Sequence, residues 1–156
     1  MRHIGIDPGL SGAIAVLTDD TIQIHDMPVM TVDRNGKAKR QVSANELAEL
    51  LYTCSGKDCH VYCERVSAVS GQGVTSVFSF GRSFGMIEGI LAALKMPVTF
   101  VAPATWVKGV GRGPGKDASR SRAMELFPEY QHMFKRVKDD GRADAALIAH
   151  WGRKHG

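Results

Sequence analysis

Three short apolar runs are crowded into the first 27 residues, and that spacing limits the fold more than any other feature of the chain. His3–Asp7 and Ala13–Thr18 flank the turn Pro8-Gly9-Leu10-Ser11-Gly12, and Asp19-Asp20 leads into Thr21–Met27. Close spacing with Gly, Pro and Asp punctuation predicts an antiparallel meander of three strands. The pattern then changes. Pro28–Val42 is polar and basic around Asn35-Gly36 and reads as a loop or an extended hairpin. Ser43-Ala44-Asn45-Glu46 has the spacing of a capping box, and Leu47, Leu50 and Leu51 supply the apolar stripe of the helix behind it. His60–Glu64 predicts a fourth strand, Ser76–Lys95 a longer helix, Val98–Val101 a fifth strand and Pro103–Val107 a short helix. Asp117 is placed to cap a helix running to about Phe127, and Arg142–Trp151 predicts the last helix. The order βββ-α-β-α-β-α-α implies an α/β fold: a mixed five-stranded sheet, three strands antiparallel and two parallel, flanked by helices.

At 156 residues the chain suits one domain, 1–156, able to bury about two-thirds of its unfolded surface. No apolar run approaches the ~20 residues that span a bilayer, and no leader pattern precedes the first strand, so the expected compartment is the cytoplasm. Cys54, Cys59 and Cys63 are read as free thiols. Together with His60 they could hold zinc, but the spacing matches no common finger. The net charge of +4 is uneven: residues 106–156 hold 11 Lys/Arg against 6 Asp/Glu, while residues 1–105 hold 9 against 10. A polyanionic partner would account for that bias.

Three carboxylates carry the chemistry. In His3-Ile4-Gly5-Ile6-Asp7, alternation puts Asp7 on the face of Gly5 and His3, at the strand end. Glu64 closes His60-Val61-Tyr62-Cys63-Glu64 in the same way. Each alone is equally a turn-capping or exposed strand-end acid. Asp140 and Asp144 stand at i and i+4 near a helix N-terminus, which favours negative charge. Capping explains one aspartate there but not Asp144, which lies in the apolar stretch Ala143–Ala149. The short side chains of that stretch allow the helix close to the sheet. Gathered carboxylates repel one another, and some protonate without a cation. Hard divalent ions take oxygen ligands, and a two-metal site with ions about 3.5–4 Å apart stabilises both the attacking and the leaving oxygens of phosphodiester cleavage.

With these residues in view, Ile4-Gly5-Ile6-Asp7-Pro8-Gly9-Leu10-Ser11-Gly12 resembles the first-strand motif of the RuvC-type Holliday junction resolvases, of the RNase H-like superfamily. Cys63-Glu64-Arg65-Val66 is similar to their fourth-strand motif, and Ala143-Asp144-Ala145-Ala146-Leu147-Ile148-Ala149 to their final acidic helix. The match looks nearest to short, phage-like or divergent members. It implies an RNase H-like nuclease that acts as a homodimer on four-way DNA junctions with Mg²⁺ or Mn²⁺, two ions per site, held by Asp7, Glu64, Asp140 and Asp144. It also implies a subunit interface on Ser76–Lys95. The family usually carries an acid or His three residues before the final Asp; here that residue is Gly141, and Asp140 or Asp139 could substitute.

Lys108, Arg112, Lys116, Arg120 and Arg122 are interleaved with Gly109, Gly111, Gly113 and Gly115. A flexible cationic segment of this kind can follow a phosphate backbone, so all five are expected DNA contacts. The resemblance places Lys108 and Lys116 near the scissile phosphate, and Lys116 is expected to stabilise the charged transition state. Phe80 and Phe84 are expected to pack inward, as helical aromatics usually do, although any one of Phe78, Phe80 and Phe84 could instead wedge into an opened junction by stacking on a base. Three functions fit: a junction-resolving endonuclease, a nuclease for other branched DNA or RNA–DNA hybrids, and a non-catalytic DNA-binding module of the same fold. An actin-like ATPase would need a second half to close over nucleotide.

Overall fold

The computed structural model describes residues 1–156. The elements run β1 Arg2–Asp7, β2 Ala13–Leu17, β3 Ile22–Asp26, β4 Val29–Arg34, β5 Lys37–Val42, α1 Ala44–Cys54, β6 Cys59–Glu64, α2 Val74–Ala93, β7 Val98–Val101, α3 Pro103–Gly109, α4 Ala118–Leu126 and α5 Asp140–His155, with short 3-10 turns at Pro128–Met133 and Val137–Asp139. The main sheet has the order β3-β2-β1-β6-β7. β1 pairs antiparallel with β2 and parallel with β6, and β6 pairs parallel with β7. Three antiparallel strands and two parallel ones therefore meet at β1.

Alternation along the strands gives the sheet two apolar faces. Ile4, Ile6, Ile14, Val61 and Cys63 pack on one side with Leu47 and Leu51 of α1 and Ile87 and Leu91 of α2. Ala13, Ala15, Leu17, Tyr62 and Val101 pack on the other with Ala145–Ala149 of α5 and Phe134. α5 lies almost on the backbone of the sheet. A Cβ on Gly5 would overlap the Ala145 carbonyl, and one on Gly152 would overlap the Tyr62 ring. The small residues of β1 and α5 are thus a requirement of close packing, as the Ala-rich run suggests.

Several local expectations change. Pro28–Val42 is a two-stranded hairpin separate from the main sheet. Its turn, Asn35-Gly36, takes φ of 56° and 74°, the left-handed pair that a tight hairpin turn of this hand requires. Ser43 sits at the N-cap of α1 and Asp117 at that of α4, but neither makes a side-chain capping bond. Helix α2 begins at Val74 rather than Ser76. Its glycines at 81, 85 and 89 have nothing within 4 Å of an added Cβ, so no backbone within this chain uses the close approach they allow. No helix is long and apolar enough to cross a membrane.

Candidate active site

β1 and β6 are parallel, with Ile6 opposite Cys63, so Asp7 and Glu64 end neighbouring strands at the same edge of the sheet. Both project to the face that α5 covers, where Gly5 and Tyr62 meet that helix. Asp144, one turn into α5, comes to the same edge. The three acids sense one another. Burial, then the charge of Asp144, pushes the Asp7 carboxyl up to about 7, with Glu64 adding to the rise and the Gly9 N–H opposing it. Burial and Asp144 also raise Glu64, against the pull of Trp106 and Arg112. Asp144 is raised by burial and by Asp140, with the Ser119 hydroxyl and Arg112 pulling down.

Each acid is held by a different local device. The Gly9 N–H donates to Asp7 Oδ1 at 3.3 Å across the turn that closes β1. Trp106 of α3, buried, donates Nε1–H to Glu64 Oε2 at 2.6 Å. Asp144 Oδ1 is buried with no hydrogen-bond partner. An orphaned carboxylate oxygen beside two further raised carboxyls is costly for a protein alone. An oxygen-only donor set with one free, buried oxygen fits a hard divalent cation. As they stand in this structure, the acids do not form a group of three or more ligands close enough to hold a metal ion.

The other anticipated ligands are each held by an arginine. Asp139, 1% exposed, accepts the Arg136 N–H at 2.9 Å and the Arg136 guanidinium at 2.9 Å, with Arg142 3.8 Å away. Burial alone would raise its carboxyl, but these bonds hold it below the usual range. Asp140 pairs with Arg120 Nε at 2.8 Å. Gly141 has no room for a side chain: a Cβ there would overlap the Ser11 carbonyl oxygen and lie 2.8 Å from Gly12 Cα. The turn after β1 occupies the space in which an acid or His would stand.

The basic stretch divides into two groups. Arg120 is corrected from a DNA contact to an internal tie, because it is 8% exposed and bonds Asp140, Asp117 and the Lys135 carbonyl. Arg122 donates Nε–H to the Val110 carbonyl at 2.7 Å and pairs with Glu125 at 2.8 Å, fastening α4 to the preceding loop. Lys108 and Lys116 are exposed. Arg112 is half-buried; it donates to Ser119 Oγ at 3.0 Å, stacks 5.9 Å over the Trp106 ring, and acts on both Glu64 and Asp144. Sequence reading missed Trp106 and Ser119 as supports of the acids. It also missed Arg142, which grips Asp26 at 2.6 and 2.8 Å and joins α5 to β3. An Arg two residues before the motif aspartate was the only available signal. Of the phenylalanines, Phe84 packs against Phe100 at 5.7 Å, while Phe78 and Phe80 are 65% and 39% exposed; Phe80 thus departs from the inward packing available to it.

Two solved structures share this architecture along its length. Thermus thermophilus RuvC in complex with a Holliday junction substrate superposes with a TM-score of 0.63 at 12% identity, covering 99% of this chain and 96% of that one. The chain has the RuvC fold. A second T. thermophilus RuvC structure gives a TM-score of 0.56 at 14% identity, again over 99% and 96% of the two chains. In sequence, the chloroplastic Holliday junction resolvase MOC1 of Chlamydomonas reinhardtii is 34% identical over 92 residues, which is 58% of this chain. The chain spans about a tenth of that relative's length. No protein-family model matches.

Proposed function

We propose that this chain is a structure-specific DNA endonuclease that resolves four-way junctions by divalent-metal-dependent phosphodiester hydrolysis. The observation that carries this reading is the meeting of Asp7, Glu64 and Asp144 at one sheet edge, with Asp144 Oδ1 buried and unpartnered. The names of the MOC1 and RuvC relatives point to the substrate class. Asp7, Glu64 and Asp144 would hold Mg²⁺ or Mn²⁺, two ions per site; Asp140, shared with Arg120, would be a secondary ligand. When bound, such a cation would offset charge on the scissile phosphate and lower the pKa of an attacking water.

The chain's own groups do the rest. Trp106 fixes the Glu64 rotamer, and Arg112 holds Ser119 next to Asp144 while offsetting part of the acidic charge. Lys116, on the exposed glycine-rich loop, would stabilise charge developing on the phosphate, and Lys108 would position the backbone. The chain would act as a homodimer through α2, whose exposed Val74, Phe78 and Phe80 and open glycine face are otherwise without use. The enzyme would work in the cytoplasm of a bacterial cell or phage-infected host, where its free cysteines would stay reduced.

The test is to incubate the protein with labelled immobile four-way junction, matched linear duplex and Y-fork, in Mg²⁺, Mn²⁺ or EDTA, with Asp7→Asn as control. Paired metal-dependent nicks confined to the junction are expected. Equal cutting of forks would broaden the substrate to branched DNA. Binding without turnover in either metal would leave a DNA-binding module.

A further inference from the structure

The β4–β5 hairpin joins the core only at its root, where Val42 is buried and Val29 packs beside it, and the rest of the ribbon stands clear of both sheet faces. Residues 29–42 carry Arg34, Lys37, Lys39 and Arg40 against the single acid Asp33, although the rest of residues 1–105 is acidic on balance. None of the four cations forms an ion pair. Asp33 does not neutralise them either; its Oδ1 accepts the Gly36 N–H at 2.9 Å within the turn. The register sets Arg34 opposite Lys37 and Val32 opposite Lys39. Arg34, Lys37 and Lys39 therefore leave one face of the ribbon together, and Arg40 leaves the other. Like charges directly across a ladder oppose folding, and a two-stranded hairpin is marginal by itself. Residues 33–40 are all exposed; Arg34 Nη2 donates to Gln41 Oε1 at 3.1 Å along the ribbon, whereas Lys37 and Lys39 have no partner within the chain.

The root of the ribbon is fixed where the acids are. The Met27 N–H donates to the Gly12 carbonyl at 3.0 Å, and the Ser43 N–H to the Pro28 carbonyl at 2.9 Å. Met27 and Val42 are buried in the core beneath. Gly12 ends the turn that begins at Asp7, so the ribbon departs from the same edge of the sheet as the carboxylates. Six residues of strand extend about 20 Å, which is long enough to follow several phosphates along a duplex.

We propose that the β4–β5 hairpin is a cationic arm that clasps the phosphate backbone of a duplex arm of the DNA, through Arg34, Lys37 and Lys39. This rests on the nuclease reading for its substrate but uses none of the catalytic groups. Its test is fluorescence anisotropy of wild type and the Arg34→Ala, Lys37→Ala, Lys39→Ala triple variant in EDTA. Both are titrated with labelled four-way junction and with matched linear duplex between 50 and 200 mM salt, on the scale over which phosphate contacts are lost. A second triple variant exchanges Lys and Arg at the three positions, and circular dichroism confirms that all three proteins fold.

The alanine variant is expected to bind both DNAs at least about tenfold more weakly and to lose about 2–3 from the slope of log affinity against log salt; the exchanged variant should keep the wild-type slope. Equal affinity and slope in the alanine variant and wild type would overturn the arm. Wild type that binds neither DNA would overturn the arm together with the function. Wild type that shows the arm's salt signature but cuts nothing in Mg²⁺ or Mn²⁺ would overturn the nuclease reading and leave the arm standing.

Discussion

The indole N–H of Trp106 reaches Glu64 Oε2 across 2.6 Å, joining the first turn of α3 to the last residue of β6. The bond fixes one oxygen of Glu64 and favours its ionised form. Trp106→Phe keeps most of the buried volume and removes the donor. Outer partners of metal-binding carboxylates are worth about 10–100-fold in metal affinity or activity. Titrating Mg²⁺ against junction cleavage should show a half-saturating concentration raised about tenfold or more.

Asp7→Asn should abolish cleavage while retaining junction binding, and it should also stabilise the metal-free protein at alkaline pH. Asp7 titrates near 7 in the fold and near 3.9 in an unfolded chain. A folded pKa above the unfolded one means stability that is present below about pH 4 and is lost as pH rises towards 7. His150, lowered to about 4 chiefly by burial, acts in the opposite sense, but both proteins contain it and it cancels in the difference. Melting in EDTA should therefore give variant and wild type a similar Tm near pH 4 and a higher Tm for the variant at pH 8.

Gly141→Ala should be destabilising out of proportion to one methyl group. The added carbon meets the Ser11 carbonyl, which is main chain and cannot rotate away. Forced overpacking costs about 1–3 kcal/mol. Urea denaturation should show a lower midpoint with little change in slope, and Gly141→Asp should fold no better and restore no ligand.

Arg120→Ala separates structural cations from those that meet DNA. It strips partners from Asp140, Asp117 and the Lys135 carbonyl at once. Losing one member of a buried pair costs about 3–5 kcal/mol; Asp117 and Asp140 are 71% and 47% exposed, so about 2 kcal/mol is expected. The salt slope of DNA binding should stay at the wild-type value, whereas Lys116→Ala should lower it by about 1.

In the homodimer proposed through α2, Gly85→Arg at the centre of the open glycine face should yield a monomer in sedimentation velocity with its far-ultraviolet circular dichroism unchanged, since an added Cβ there meets nothing in the same chain within 4 Å.

The sheet was legible because strand alternation is local. Ile4 and Ile6 against Gly5 and Asp7 show which side each residue takes, and Pro8-Gly9 shows where the strand stops. The hairpin at Pro28–Val42 was half legible: Asn35-Gly36 marks its turn, but a ribbon without an apolar face has no alternation to distinguish it from a loop. The three acids could be picked out by their positions at element ends. Their supports could not, because Trp106 and Glu64 are 42 residues apart and only the parallel crossover brings them together. Arg120 and Lys116 look alike in a row of cations; burial against Asp140 is what separates them. The capping bonds expected of Ser43 and Asp117 failed to form although both occupy the right positions, which shows that spacing locates a helix start without determining its hydrogen bonds.

Gly5 brings α5 against the backbone of β1 on one side of Asp144, and Gly141 brings it against the turn after β1 on the other. The backbone positions that carry Asp7 and Asp144 are therefore set by main chain packed against main chain. An ion held by the proposed site would meet a spacing set by the backbone. Randomising the residues that surround the cluster should alter how tightly cations are held, while the ranking of small against large ions should change only when one of those glycines is replaced.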